Sequence, residues 1–500
     1  MRARGGGLGW RPMAIYRALP TALIVLLALA GCRKAHDAGP IDVSVIGASI
    51  GAMPTTPDGD TTDAPAAALI AATGQGLVRF DAAGQVVPGL AERWTVAGGG
   101  RSLLFRLPDL PPPGRAPIDA GAVARRLRAA IAPASRNPLK PLLGAIDEIT
   151  AVTPQVIDVE LRAPRPNMLQ LFAQPALAMG DARTGPFSIA AMRGGVATLR
   201  PLPDPDADPD DGETARAPEI RLRGEPAAHA VARFAAGRAA LVLGGGFADL
   251  AVARAAALPR DALHLDPVRG LFGFAFVDNG TGGATADPDV RRALAMAVDR
   301  DRIAMLFGVP GWTPSPTIVA PATPEVATPT IPAWAAMPLD ARRGVAAQIV
   351  ARGPTPPTVR VAMPAGPGAR MLFALVADDW RRIGVSAVAV GPADTAELRL
   401  VDLVAPADVA SFYLRAFGCE QHVPCTAVSD QLLIAARYAP TLAERSVLLT
   451  QADALIAQTT PFIALGPPIR WSLVAPDLDL YRDSPRGLHP LNELHGPLKR

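Results

Sequence analysis

The pattern of apolar and polar positions predicts short strands interleaved with amphipathic helices. Residues 41–50 (IDVSVIGASI) alternate in part and are rich in β-branched side chains, which predicts a first strand. Ala66–Leu77 reads as a helix, followed by a short strand through Gly76–Asp81 and a turn at Ala83-Gly84. Leu103–Leu107 predicts another strand, ahead of a Pro-rich loop at Pro111–Pro117. Asp119 suits the N-cap of a helix with Val123, Leu127 and Ile131 on one face. Ile149–Leu161 reads as one or two strands, and the acidic, Pro-rich stretch Pro201–Glu219 as a solvated loop.

The clearest helix opens at Asp287-Pro288, with Asp at the N-cap and Pro in the first turn; Val290, Leu294, Ala297 and Val298 share one face. A second runs from about Ala369 to Ile383, buries Leu372, Leu375, Val376 and Ile383, and stops at Gly384. A third begins with the capping box Thr441-Leu442-Ala443-Glu444 and is expected to bury Leu448, Ala452, Leu455 and Ile456. No internal repeat is visible.

The first residues have a different character. Arg2, Arg4, Arg11 and Arg17 precede a 13-residue apolar run, Ala18 to Ala30, with no acid among them. That run is shorter than the roughly 20 residues a membrane-spanning helix needs and suits the core of a signal peptide. It ends in Leu29-Ala30-Gly31-Cys32, which resembles a bacterial lipobox. The resemblance implies cleavage before Cys32, lipidation of its thiol and a membrane-anchored extracytoplasmic protein; Met13 offers an alternative start. No other segment is long and apolar enough to span a bilayer.

With 500 residues, 49% hydrophobic and 19% charged, the chain has material for two or three domains and is not a disordered polymer, despite 46 Gly and 53 Pro. The basic residues are nearly all Arg, a bias we read as genomic. Removing residues 1–31 takes four positive charges from the formal +3 and leaves −1, which gives no electrostatic footprint for nucleic acid. Cys419 and Cys425 flank Glu-Gln-His-Val-Pro. In an oxidising compartment the simplest reading is a disulfide; free thiols, or a metal site with His422, are the alternatives.

Signatures of catalysis are weak. Gly47-Ala48-Ser49-Ile50-Gly51 matches a nucleophile elbow and makes Ser49 a hydrolase candidate, but it follows the first strand instead of several earlier ones. The aspartates from Asp204 to Asp211 lack the Gly and final Glu of a calcium loop. The six histidines lack zinc-site spacing, and Gly244-Gly245-Gly246 lacks the Lys of a phosphate loop. The chain is therefore expected to be a non-enzyme without cofactor or metal.

A series of blocks carries a family resemblance. Gly76–Asp81 and Val87–Trp94, then Thr184-Gly185-Pro186-Phe187, Arg233–Arg238, Asp287–Arg300, Glu444-Arg445 and Pro461-Phe462-Ile463 follow one another in order. Together they resemble the peptide/nickel class of extracytoplasmic solute-binding proteins (family 5), the receptors of ABC importers. The likeness spans roughly residues 40–490. It implies an α/β, type II periplasmic-binding-protein fold with a ligand cleft between hinged lobes. The lobes expected are the first strand with its linker (32–65), lobe II (66–179), lobe I continued (180–267), lobe III (268–476) and a return to lobe I (477–500).

The same resemblance implies candidate ligand contacts. Gly244 and Gly245 would expose backbone at a cleft-facing strand end, Asp408 would hold a ligand amino group, and Arg415 would meet a carboxylate. Phe412 and Tyr413 would line the pocket, and Trp471 would either line it or simply pack. Departures include Ala240 where the family has Asp, Pro111–Gly114 in place of a Phe-X-Asp-Gly segment, and Asp278 or Asn279 as the counterpart of its Asn. The function implied is a monomeric receptor delivering an oligopeptide or similar solute to an ABC permease and its ATPase. A sensor or interaction protein without transport is the alternative.

Overall fold

The computed structural model describes residues 39–51, 63–110, 114, 117–179, 184–203, 218–278, 280, 283–478 and 481–494. Cys32, the prolines at 111–113, most of the acidic loop (204–217) and Asn279 lie outside the described residues.

The chain opens with strand β1 (Ile41–Ile46) and helix α1 (Ala64–Thr73). A hairpin of β2 (Val78–Phe80) and β3 (Val86–Pro88) leads into β4 (Arg93–Ala97) and β5 (Ser102–Arg106). Helix α2 (Ala120–Ile131), β6 (Ile146–Thr153), β7 (Val156–Leu161) and α3 (Met168–Phe172) follow. Next come β8 (Phe187–Arg193), β9 (Val196–Pro201), β10 (Ile220–Glu225), α4 (Ala227–Ala235), β11 (Leu241–Gly246), α5 (Leu250–Ala255) and β12 (Leu263–Leu265). Then β13 (Gly270–Phe276) precedes α6 (Pro288–Ala297), α7 (Arg300–Phe307), α8 (Leu339–Val350), β14 (Thr358–Ala362) and α9 (Pro367–Arg381). The chain closes with β15 (Ser386–Val390), β16 (Leu398–Val404), α10 (Ala410–Arg415), α11 (Ala427–Tyr438), α12 (Leu442–Thr459), β17 (Phe462–Gly466) and β18 (Arg470–Val474).

These strands form a seven-stranded sheet in the order β12-β18-β11-β1-β10-β9-β8, a five-stranded sheet β15-β14-β16-β13-β17 and a four-stranded sheet β4-β5-β7-β6. In the seven-stranded sheet β1 runs parallel to both β10 and β11. Strand β18, assigned from sequence to lobe III with its boundary at 476, hydrogen-bonds to β11 and β12 in this sheet. Its placement follows from the return crossing ending at Ile469, after which Trp471 and Leu473 enter a core shared with Val242.

Local chemistry accounts for the element starts. Asp119 accepts from the Ala122 amide at 2.7 Å, Asp287 from Asp289 at 2.8 Å and Thr441 from Glu444 at 3.2 Å, each supplying an N-cap. Asp63 caps α1, so that helix begins two residues ahead of the expected start. It also ends at Thr73 and not Leu77, because the Gly185 amide donates to the Thr73 carbonyl and Thr184 Oγ1 accepts from the Gln75 amide. Strand β1 stops at Ile46, short of the expected 50, where the Pro65 ring packs on Gly47.

Helix α12 is where the apolar periodicity misleads. Its buried stripe is Arg445, Leu449, Ala452, Asp453 and Ile456, while Leu448 and Leu455 are only half-buried. Arg445 Nε donates to Glu325 at 2.5 Å and the Asp453 carboxylate accepts from the Thr330 amide at 2.6 Å. Two charged side chains thus occupy inward positions that a hydrophobic count assigns to leucines.

Candidate solute-binding site

The chain passes from the seven-stranded to the five-stranded sheet through 266–269 and returns through 467–469. Segment 309–321 lies against these two crossings, and together they line an open cavity of about 680 Å³. That is within the roughly 300–1,000 Å³ of small-molecule sites. Its wall is largely apolar and rigid: Pro310, Pro314, Pro467 and Pro468 surround Trp312. The Trp312 indole N–H donates to the Pro467 carbonyl at 2.8 Å. Its ring lies so close to Gly466 that a Cβ there would stand 2.5 Å from Cζ2. Glycine at 466 is what lets the indole lie against the crossing.

Charged groups around this cavity are mostly paired within the protein. Arg470 Nη1 donates to both Asp402 oxygens, at 2.8 and 3.0 Å, and Arg470 Nη2 to the Asp402 carbonyl at 3.1 Å. Burial pushes the Asp402 carboxyl above its usual range despite that pairing. Asp266 accepts from the Ser484 amide at 2.8 Å and pairs with His489 Nε2 at 3.0 Å. Arg269 is exposed and has no carboxylate within ion-pair distance among the described residues. The cavity therefore offers an aromatic and proline wall and an available cation at its edge.

The residues expected to contact ligand are not gathered here. Gly244 is exposed, with φ +79°, and its missing Cβ leaves room 3.1 Å from Ala64 Cβ. Gly245 is covered: a Cβ there would stand 2.2 Å from the Trp471 ring. Trp471 is itself fully buried and its Nε1 donates to the Gly246 carbonyl at 2.8 Å, so it packs and does not line the cavity. Tyr413 is buried in the core beneath α11 and α12, where desolvation raises its phenol pKa. Phe412 meets it edge-on, with ring centres 5.1 Å apart, and also touches the core of the four-stranded unit.

Asp408 is fully engaged. Its carboxylate receives both Arg486 terminal nitrogens, at 3.1 and 2.5 Å, and Gln170 Nε2 at 3.2 Å. Its amide donates to Gln170 Oε1 and its carbonyl accepts from Asn167 Nδ2. Burial alone would raise this carboxyl, but the Arg486 hydrogen bond and charge outweigh it and hold the pKa low. In this conformation Asp408 joins α3, the segment after β16 and the C-terminal segment. Arg415 Nη2 donates to Glu420 at 3.2 Å. Cys419 and Cys425 are joined by a disulfide, with Cα atoms 5.3 Å apart. Ser49 is exposed and makes no hydrogen bond to a histidine among the described residues, so no triad forms around it.

Residues 85–399 match the bacterial extracellular solute-binding proteins, family 5, over that family's middle region. The chain belongs to this family. Its fold is that of type II periplasmic binding proteins, as three solved structures illustrate. The Escherichia coli murein tripeptide binding protein MppA superposes with a TM-score of 0.75 at 17% identity, covering 91% of this chain and 98% of that one. Haemophilus influenzae OppA, in complex with RPPGFSPFR, gives 0.76 at 16% identity, with 91% and 98% covered. A substrate binding protein from Microbacterium hydrocarbonoxydans, complexed with 4-hydroxybenzoate hydrazide, gives 0.68 at 18% identity, with 90% and 98% covered. No curated protein matches the chain. Members of family 5 are extracytoplasmic solute-binding proteins, and among the described residues no helix is long and apolar enough to cross a membrane.

Within this family member the charged residues of the Asp287–Arg300 block fasten elements together. Arg291 donates to the Thr459 carbonyl at 3.0 and 2.7 Å, and Arg300 Nε to the Ala464 carbonyl at 2.8 Å. Burial, reinforced by the charge of Arg342, pulls Arg300 down to about 9. Trp312, Arg269, Arg470 and Asp402 escaped the sequence reading. The one usable signal was an aromatic inside the Pro-Gly-rich stretch Val309–Pro316.

Proposed function

We propose that this family 5 protein is the receptor of an ABC importer, anchored through lipidated Cys32, that delivers an oligopeptide or similar small solute to a permease and its ATPase. The observation that carries this reading is the 680 Å³ cavity at the two crossings between the sheets. Two connections between the sheets that flank a cavity suit closure of lobes around a ligand. A Trp312 wall with Thr313, Ser315 and Thr317 beside it suits a ligand that combines apolar surface with polar groups such as amides. The carboxylate end of such a ligand would meet Arg269, and Asp408 contributes by holding the lobes instead of contacting the solute.

The solutes bound by OppA and by the Microbacterium protein, a peptide and an aryl hydrazide, favour a small amide-bearing ligand without choosing between them. Thermal denaturation against peptide pools and aryl amides tests the reading. A saturable rise in Tm that Trp312→Ala abolishes is expected. A rise that Trp312→Ala leaves intact would move the site elsewhere, and no rise with any pool would remove the peptide assignment.

A further inference from the structure

A second, smaller cavity of about 30 Å³ lies where the four-stranded unit meets α10, α11 and α12. Four guanidinium groups line it. Arg165 follows β7, Arg415 ends α10, Arg437 is in the last turn of α11 and Arg445 in the first turn of α12. The acids near them are largely committed. Glu325 accepts from Arg445 at 2.5 Å and, through its other oxygen, from the Ala410 amide at 2.8 Å. Glu420 takes Arg415 Nη2, and both Asp430 oxygens accept from the Cys419 amide at 3.2 Å.

Positive charge is left in excess. Arg165 satisfies carbonyls at the end of α11, including that of Ala436 at 3.3 Å, but has no carboxylate partner among the described residues. Arg437 has none either; its guanidinium lies 3.3 Å from where a Cβ on Gly144 would be. Arg415 Nε is buried without a hydrogen-bond partner, an arrangement that costs free energy unless something fills the gap. Burial, followed by the charge of Arg445, lowers Arg165 to about 10; burial and then Arg437 lower Arg415. Arg445 thus lies close enough to repel Arg165 and Arg415, and Arg437 close enough to repel Arg415, in a place lined by all four. A cavity of this volume has room for a water or a monatomic ion.

We propose that this cavity is a halide-sized anion site, occupied by chloride, bridging Arg165 of the four-stranded unit to Arg415 and Arg437 of the helical face. The ion would satisfy the orphaned Arg415 Nε by a charge-assisted hydrogen bond and neutralise repulsion across the interface. This goes beyond the receptor reading and does not depend on it: the site is separate from the Trp312 cavity.

Denaturation of the full chain at fixed ionic strength, with gluconate exchanged stepwise for chloride, reads the site. Wild type should gain about 2 °C or more in Tm and saturate. Arg437→Gln should lose that gain and, in gluconate, be at least as stable as wild type, because it removes a repelling charge. Arg415→Gln should likewise lose the gain. Equal chloride responses in wild type and Arg437→Gln would overturn the proposal, as would no response in wild type or a response to acetate alone. Crystals grown with bromide give a test that needs no variant: an anomalous peak among the three guanidinium groups is expected, and an empty map there contradicts the site.

Discussion

Arg486 grips Asp408 with both terminal guanidinium nitrogens, and this one pair joins the C-terminal segment to the segment that follows β16. Gln170 and Asn167 of the α3 region hold the same aspartate from the other side. Arg486 also lies over the Phe80 ring, 6.0 Å from its centre. Ala407 and Val409, on either side of Asp408, are buried in the core of the four-stranded unit. Asp408 is therefore a fastening between three parts of the chain.

Replacing Asp408 by Asn should cost about 1–3 kcal/mol, because Arg486 is nearly buried and would lose its counter-charge while keeping some hydrogen bonding. Gln170→Ala should cost less, since Arg486 continues to hold the carboxylate. Urea denaturation of the two variants at neutral pH checks the order. Equal and negligible losses would mean the pair is a surface contact of no consequence.

The same aspartate sets an acid dependence whose sign follows from its lowered pKa. Its stabilising contribution is complete above the usual aspartate pKa of about 3.9 and is lost as pH falls through the depressed folded value. The stability gap between wild type and Asp408→Asn should accordingly shrink below about pH 4. Asp402 has the opposite sign: its raised folded pKa means its contribution becomes more favourable on acidification. Comparing Asp402→Asn with wild type from pH 7 to pH 4 should show wild type gaining relative to the variant.

Glu325 and Arg445 form a pair in which both side chains are over nine-tenths buried. Removing one partner of such a pair costs about 3–5 kcal/mol. Glu325→Gln should fall at the upper end, because it also leaves the Arg cluster with one fewer acid. Adding Arg445→Met should recover part of the loss, and a double variant no better than the single one would show the charges are not coupled.

Two adjacent glycines should respond differently to a methyl group. At Gly245 the new Cβ meets the Trp471 ring at 2.2 Å, so Gly245→Ala must displace a buried indole at about 1–3 kcal/mol. At Gly244 the limits are the left-handed φ of +79° and a 3.1 Å approach to Ala64. Gly244→Ala should cost only about 1 kcal/mol. Thermal denaturation of the two variants reads the difference directly.

Much of the architecture was legible along the chain, because helix starts are local chemistry. Asp119, Asp287 and Thr441 announce their helices from three or four residues. The order of family blocks identified the fold, since several of those residues make long-range hydrogen bonds, such as Arg291 to Thr459 and Arg300 to Ala464. What could not be read was which charges are spent inside the protein. Asp408 reads as an available carboxylate until Arg486, 78 residues away, is placed against it. The inward Arg445 and Asp453 defeated the periodicity of α12 for the same reason: their partners, Glu325 and Thr330, lie over a hundred residues earlier. Trp471 could not be told apart from a pocket residue until Gly245 was seen beneath its ring.

The receptor reading requires a small solute bound in the cavity beside Trp312. Mass spectrometry of small molecules released from the purified protein, run alongside Trp312→Ala, tests it most directly. A peptide or other amide-bearing solute released by wild type and absent from Trp312→Ala is the predicted result. The same solute released equally by both would contradict the assignment of the site; nothing released, with no Tm response to peptides or aryl amides, would contradict the receptor itself.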